Sequence, residues 1–222
     1  MHKLAVLLLI PVACAANAQR PSSKDAAVYE VKFQGVWTAR NHPIDYPKGG
    51  SLSLSGAHFS GVIGAPHNGK YAIFTQGALA TRGLELLSHK GSKSPLDEEI
   101  KAAQAAGNAG EIFDTGVFLD VTSPKTATFE VSDRFPLVSL VAMIAPSPDW
   151  FTGVSGLDLK EDGRWVDSKT VEAYAWDSGT FDGDTYKADE KPSTPHQPIA
   201  PSPAPPFSSR KPIAILTFTR QK

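Results

Sequence analysis

The chain of 222 residues is nearly without cysteine: Cys14 is the only one, and it lies in the apolar stretch at the very start. A disulfide framework within the chain is therefore excluded, and so is a thiol nucleophile in whatever remains once that stretch is removed. Charge of one sign is lacking too. Twenty-two Lys and Arg balance twenty-three Asp and Glu, and the basic residues are scattered. Neither the basic patch expected of a nucleic-acid binder nor a polybasic membrane arm is present. Long apolar runs are missing as well. The longest candidate, Leu4 to Val12, is too short to span a bilayer, which takes about 20 residues. No G-x-S-x-G, H-E-x-x-H or phosphate-cradling glycine loop occurs, so the common catalytic frameworks have nothing to stand on.

What is present begins with an export signature. His2 and Lys3 give a polar start, Leu4 to Val12 an apolar core, and Ala16-Asn17-Ala18 an A-x-A cleavage site before Gln19. This predicts a signal peptide over 1–18, a polar leader over 19–27, and a periplasmic or extracellular destination. Val12-Ala13-Cys14 also resembles a lipoprotein box, in which case Cys14 would become a lipidated N-terminus on a membrane surface. An exported chain without disulfides is a candidate for holding its loops with bound metal.

Eighteen Gly and eighteen Pro favour a turn-rich β protein over a helical bundle. Val28 to Phe33 alternates with period two and reads as a strand. Further strands are expected at 51–55, 71–74, 117–121, 127–131, 137–145, 171–176 and 213–220. One helix is expected over 94–106, with Ser94 as cap, Pro95 at the first position, acids in the first turn and Gly107 as the stop. Residues 84–89 add a helical turn or two. The stretch 191–212 is dense in proline but precedes a strong strand, so it reads as an ordered crossing loop rather than a tail. Together these predict one antiparallel β-sandwich domain over 28–222 with a short helical insertion.

Four acids, Glu130, Asp149, Asp177 and Asp182, fall at loop or strand-end positions beside apolar strands. Carboxylates gathered at one end of a sandwich repel one another, and a hard cation such as Ca²⁺, which takes six to eight oxygen ligands, removes that penalty. The competing reading is that each acid caps its own turn. Asp182-Gly183-Asp184 does not open an EF-hand, because Tyr186 and Lys187 stand where a third oxygen ligand and the glycine belong. His58 and His67 flank Phe59 to Pro66 and are either zinc ligands or hydrogen-bonding residues at a sheet edge.

The segment Pro146-Ser147-Pro148-Asp149-Trp150-Phe151-Thr152-Gly153-Val154, followed by Leu157-Asp158-Leu159 and Trp165, resembles the signature of the spondin domain. The likeness extends in order to Tyr29-x-Val31-x-Phe33-x-Gly35-x-Trp37, His42-Pro43, His58-Phe59-Ser60 and Gly77-Ala78-Leu79-Ala80-Thr81-x-Gly83-Leu84. It resumes at Trp176-Asp177-Ser178-Gly179-Thr180 and Thr194-Pro195-His196-Gln197-Pro198-Ile199. The resemblance implies an eight-stranded antiparallel sandwich, like the calcium-dependent lipid-binding sandwiches, with one divalent cation at a loop end. It implies metal ligation by Asp149 and Asp177, with a contribution from Glu130. The family's D-A-G-T-D/E motif ends in a further metal-binding acid. Here Phe181 holds that place, so either Asp182 serves by a one-residue shift or a ligand is lost. No thrombospondin-type repeat follows, which reads as a stand-alone bacterial relative. Family members act in adhesion and recognition. The expectation is therefore a non-catalytic, calcium-binding module for an unknown protein or glycan ligand. The alternatives are a structural envelope or matrix protein with a purely structural calcium, and a metal-dependent hydrolase.

Overall fold

A computed structural model describes residues 26–49, 56–116, 121–187, 191–202, 206–207 and 211–222. The export signature, most of the leader, the expected strand at 51–55 and most of that at 117–121 lie outside these residues. The chain runs through β1 (Ala26–Gly35), β2 (His58–Phe59), β3 (Ile63–His67), helices α1 (Arg82–Lys90) and α2 (Leu96–Ala105), β4 (Phe113–Asp114) and β5 (Lys125–Ser132). A hairpin of β6 (Leu137–Ala145) and β7 (Trp150–Asp158) follows, then β8 (Lys160–Glu161), β9 (Arg164–Trp165), β10 (Ser168–Ala173) and β11 (Ala175–Asp177). The last elements are β12 (Phe181–Asp182), β13 (Lys191–Pro192), β14 (Ala200–Pro201) and β15 (Ala214–Arg220). Ala26 and Ala27, expected in the leader, already belong to β1.

Two antiparallel sheets face each other. One has the order β10-β15-β1-β5; the other has β14-β11-β7-β6-β3-β4, with β2 also on β6. Between them Tyr29, Val31 and Phe33 of β1 meet Leu216 and Phe218 of β15 and Val138, Leu140 and Ile144 of β6. The period-two pattern of β1 is thus the burial pattern expected of a strand with one wet face. Each such fully buried apolar side chain contributes about 1.5–3 kcal/mol.

The larger sheet is covered on its other face as well. Ile63, Ala65, Val141 and Phe151 pack there against Leu84 and Leu87 of α1 and Leu96 and Ile100 of α2. Burial on both faces explains why β6 is an apolar run, broken only by Ser139, instead of an alternating one. It also explains Tyr71 to Phe74, which form no strand: Ile73 and Phe74 are buried as irregular chain beside the helices.

The helical insertion is a pair. Thr81 caps α1, accepting from the Leu84 amide at 3.2 Å, while Glu99 of α2 accepts from the Thr81 hydroxyl and the Gly83 amide, both at 2.7 Å. Ser94 does not cap α2; Pro95 sits at the cap position with no side-chain bond to the helix. Gly107 does end it, at φ 74°. The expected strand 171–176 is two strands. The break at Tyr174 carries the chain from the smaller sheet (β10) to the larger one (β11).

Candidate metal centre

The four residues 146–149 connect β6 to β7, so the prolines of P-S-P-D-W build a hairpin turn. Ser147 fastens it, donating to the Ile144 carbonyl at 2.6 Å and accepting from the Trp150 amide at 3.0 Å. From α1, His89 Nδ1 lies 2.7 Å from the Pro148 carbonyl oxygen. The turn delivers Asp149 into complete burial.

Asp149 is held on one side only. Its Oδ2 accepts from the Thr180 amide (2.7 Å), the Ser178 hydroxyl (2.8 Å), the Phe181 amide (2.9 Å) and the Thr180 hydroxyl (3.1 Å). Its Oδ1 is buried and has no hydrogen-bond partner among the described residues. Asp177 stands next to it because β11 pairs with β7 in the register Asp177↔Trp150. Asp177 accepts from the Gly179 amide at 2.7 Å and from the Trp150 indole at 3.3 Å. Burial, and then the charge of Asp149, push the Asp177 carboxyl up to about 6.

These residues fit a hard cation. Hydrogen bonds to one carboxylate oxygen orient a ligand and leave the other free, which is the usual outer-shell arrangement. A carboxylate raised by a second carboxylate is the electrostatic situation that a divalent charge relieves.

The other two candidates stand elsewhere. Asp182 is exposed on β12, where its carboxylate accepts from Ser193 at 2.7 Å and pairs with Lys191 at 3.0 Å. The Ser193 bond and the Lys191 pair hold its carboxyl below the ordinary value. Asp182 therefore does not turn inward to replace the acid missing at Phe181. Phe181 instead stacks on His89, with ring centres 3.7 Å apart. Glu130 is exposed on β5 of the smaller sheet, opposite Val28. A short turn joins β5 to the Leu137 end of β6, whereas Asp149 follows the Ala145 end. The nine-residue strand holds those ends about 26 Å apart. Among the described residues, no group of three or more His, Cys, Asp or Glu side chains is placed to hold a metal.

His58 and His67 also lie at opposite ends of β6, opposite Ala145 and Leu137 respectively, and do not form a zinc pair. His67 instead sits 2.7 Å from the Ser139 hydroxyl and 2.8 Å from the Asn68 carbonyl. The residues that sequence reasoning missed are the donors. Ser178 and Thr180 stood inside the W-D-S-G-T motif and could have been found there. Ser88, 3.0 Å from the Ser178 hydroxyl, and His89 lie on a helix whose contact with the turn has no local signal.

The raised Asp177 carboxyl sets a pH dependence for the cation-free protein. The native state keeps this proton up to about pH 6, while the unfolded chain releases it near 3.8. Between those values the native state binds more protons, so the stability tied to this group is complete below about pH 4 and is lost as pH rises through about 6. Urea unfolding in chelator should show this fall from pH 4.5 to pH 7, and Asp177→Asn should flatten it. An equal slope in the variant would assign the dependence to other groups.

An antiparallel β-sandwich with a helical cover over one sheet, and a buried acid pair at its hairpin end, is the class of module that fold and site define. The family model Spondin_N matches residues 27–212, and the chain belongs to this spondin N-terminal domain family. It is 31% identical over 212 residues to Spondin-2 of Rattus norvegicus and to Spondin-2 of Homo sapiens. It is 33% identical over 181 residues to Spondin-1 of Bos taurus. The alignments take in 90% of this chain and 63% of the Spondin-2 proteins, against 79% of this chain and 22% of Spondin-1. The chain thus spans less than two thirds of the length of these relatives.

Proposed function

We propose that the chain is an exported, non-catalytic spondin-domain module that binds one calcium-like cation at Asp149 and Asp177 and presents a surface to an extracytoplasmic ligand. The observation that carries the metal reading is the buried Asp149 Oδ1, left without a partner beside a second carboxylate. When bound, the cation neutralises both acids and ties the β6–β7 turn to the loop after β11. Asp149 and Asp177 supply side-chain ligands, and the donors of residues 178–181 keep Asp149 oriented. Export is supported by the A-x-A signature, and no helix among the described residues is long and apolar enough to cross a membrane. Asp149 is sealed from solvent and out of a substrate's reach.

Thermal unfolding in calcium against chelator tests the metal. At a free concentration a hundred times the dissociation constant, linkage adds about 2.7 kcal/mol. For a domain of this size that is a rise of roughly 5–10 °C. Asp149→Asn and Asp177→Asn should each remove most of the rise, whereas Asp182→Asn and Glu130→Gln should keep it. Identical wild-type curves in calcium and chelator would refute the metal and leave the turn-capping reading.

A further inference from the structure

The last turn of α1 reaches the acid pair from outside the two strands that carry it. Ser88 and His89 are both buried there. His89 Nδ1 meets the Pro148 carbonyl at 2.7 Å, and its ring lies flat on Phe181 with centres 3.7 Å apart. Ser88 Oγ lies 3.0 Å from Ser178 Oγ. One helical turn thus touches both the residue before Asp149 and the loop that supplies its donors.

What Ser88 does there follows from counting protons. Ser178 Oγ has three oxygen neighbours: Asp149 Oδ2 at 2.8 Å, Thr180 Oγ1 at 2.8 Å and Ser88 Oγ at 3.0 Å. A hydroxyl has one proton to give and two lone pairs to receive with. A carboxylate can only accept, and a bond to it is charge-assisted, so the Ser178 proton belongs to Asp149. The neighbouring hydroxyls are then left to donate into Ser178. Ser88 has a competing acceptor, the Glu85 carbonyl of its own helix, at 3.1 Å. While Ser88 donates to Ser178, the chain Ser88–Ser178–Asp149 runs in one direction and each bond strengthens the next. When it donates to Glu85, its oxygen faces Ser178 as an acceptor and competes with Asp149 for the one proton. The other carboxylate oxygen has no such anchor: Asp149 Oδ1 is buried without a partner among the described residues. The donors on Oδ2 therefore set where Oδ1 points, and Ser88 sets the direction of one of them.

We infer that Ser88 is a positioning residue of the metal centre, fixing through Ser178 the rotation of the Asp149 carboxylate that leaves Oδ1 to the cation. This makes α1 part of the site although it supplies no ligand. The inference rests on the reading of Asp149 as a cation ligand.

The test compares Ser88→Ala, Ser178→Ala and their double variant with wild type, by calcium calorimetry on the full chain and by amide exchange in chelator. Buried Leu84 and Leu87 hold α1, as does Glu99 of α2, and Ser178 keeps Thr180 as a partner. Ser88→Ala should therefore melt in chelator close to wild type. It should nevertheless weaken calcium about fivefold, the loss of one hydrogen bond. Ser178→Ala, one bond nearer the ligand, should weaken it about tenfold, and the double variant no further, since Ser88 acts through Ser178. In chelator, Ser88→Ala should speed exchange of the Thr180 and Phe181 amides severalfold. Ser139→Ala removes an equally buried hydroxyl at the far end of β6 and should leave both readouts unchanged. The proposal is overturned if Ser88→Ala binds calcium as tightly as wild type, if the losses of the single variants add in full, or if Ser139→Ala matches Ser88→Ala. A wild type that takes up no calcium would sink the metal reading instead. The Thr180 and Phe181 amides would then decide the role of Ser88 by themselves, unchanged exchange overturning it.

Discussion

Asp149→Ala is expected to lower the stability of the cation-free domain by roughly 2–5 kcal/mol, since each buried donor left without an acceptor costs about 1–3 kcal/mol. Four donors point at Asp149 Oδ2, and the Thr180 and Phe181 amides would be left without an acceptor, while the Ser178 and Thr180 hydroxyls, 2.8 Å apart, can still bond each other. A domain whose total stability is of order 5–15 kcal/mol would then be close to unfolding at physiological temperature. Asp149→Asn should cost much less. Its amide oxygen can take the place of Oδ2, and its NH₂ can face Asp177, turning a repulsion into a hydrogen bond. Urea unfolding in chelator compares the two. An alanine variant within about 1 kcal/mol of wild type would mean that water satisfies the stranded donors, and the carboxylate would lose its structural standing.

The second large effect is expected at Gly179, which turns the chain between Asp177 and Thr180 at φ 74°. A Cβ at this position would lie 2.1 Å from the Gln197 carbonyl oxygen and 2.6 Å from its carbon, both main-chain atoms that cannot swing aside. The same segment is locked in place by the Gln197 amide, which donates to the Gly179 carbonyl at 2.7 Å. Gly179→Ala should therefore cost about 3 kcal/mol or more, since it adds a backbone clash to an unfavourable dihedral. Cation binding should fail with it, because the turn positions both Asp177 and the donors of Asp149. Gly163→Ala is the control. Its φ is 73° but nothing lies within 4 Å of the added carbon, so it carries the dihedral cost alone, about 1 kcal/mol. Equal losses in the two variants would show that the contact with Gln197 relaxes freely.

The parts of this molecule legible in its sequence are those set by local periodicity. The alternation of β1, the long apolar run of β6 and the last strand β15 were all readable, because each burial pattern is written in consecutive residues. The strand β7 was hidden behind its own turn residues: Trp150 to Val154 begin a strand directly after a motif that reads as loop. The break at Tyr174 was illegible for a different reason. Both halves have strand character, and only the tertiary fold assigns them to different sheets. The same limit governed the acids. Asp149 and Asp177 are 28 positions apart and become neighbours through the pairing of β7 with β11. Glu130 and Asp182 are also carboxylates at similar local positions. One faces outward on the opposite sheet, and the other is taken by a lysine and a serine. Residue type proposes ligands, but strand register decides which of them can meet.

The smaller sheet has its first and last strands at its centre: β15 lies between β1 and β10, with Tyr29 opposite Arg220 and Gly35 opposite Ala214. The centre of that sheet therefore forms only when two strands about 180 residues apart in sequence meet, although β1 can already pair with β5. Pairing strands so far apart in sequence raises the contact order, and folding slows accordingly.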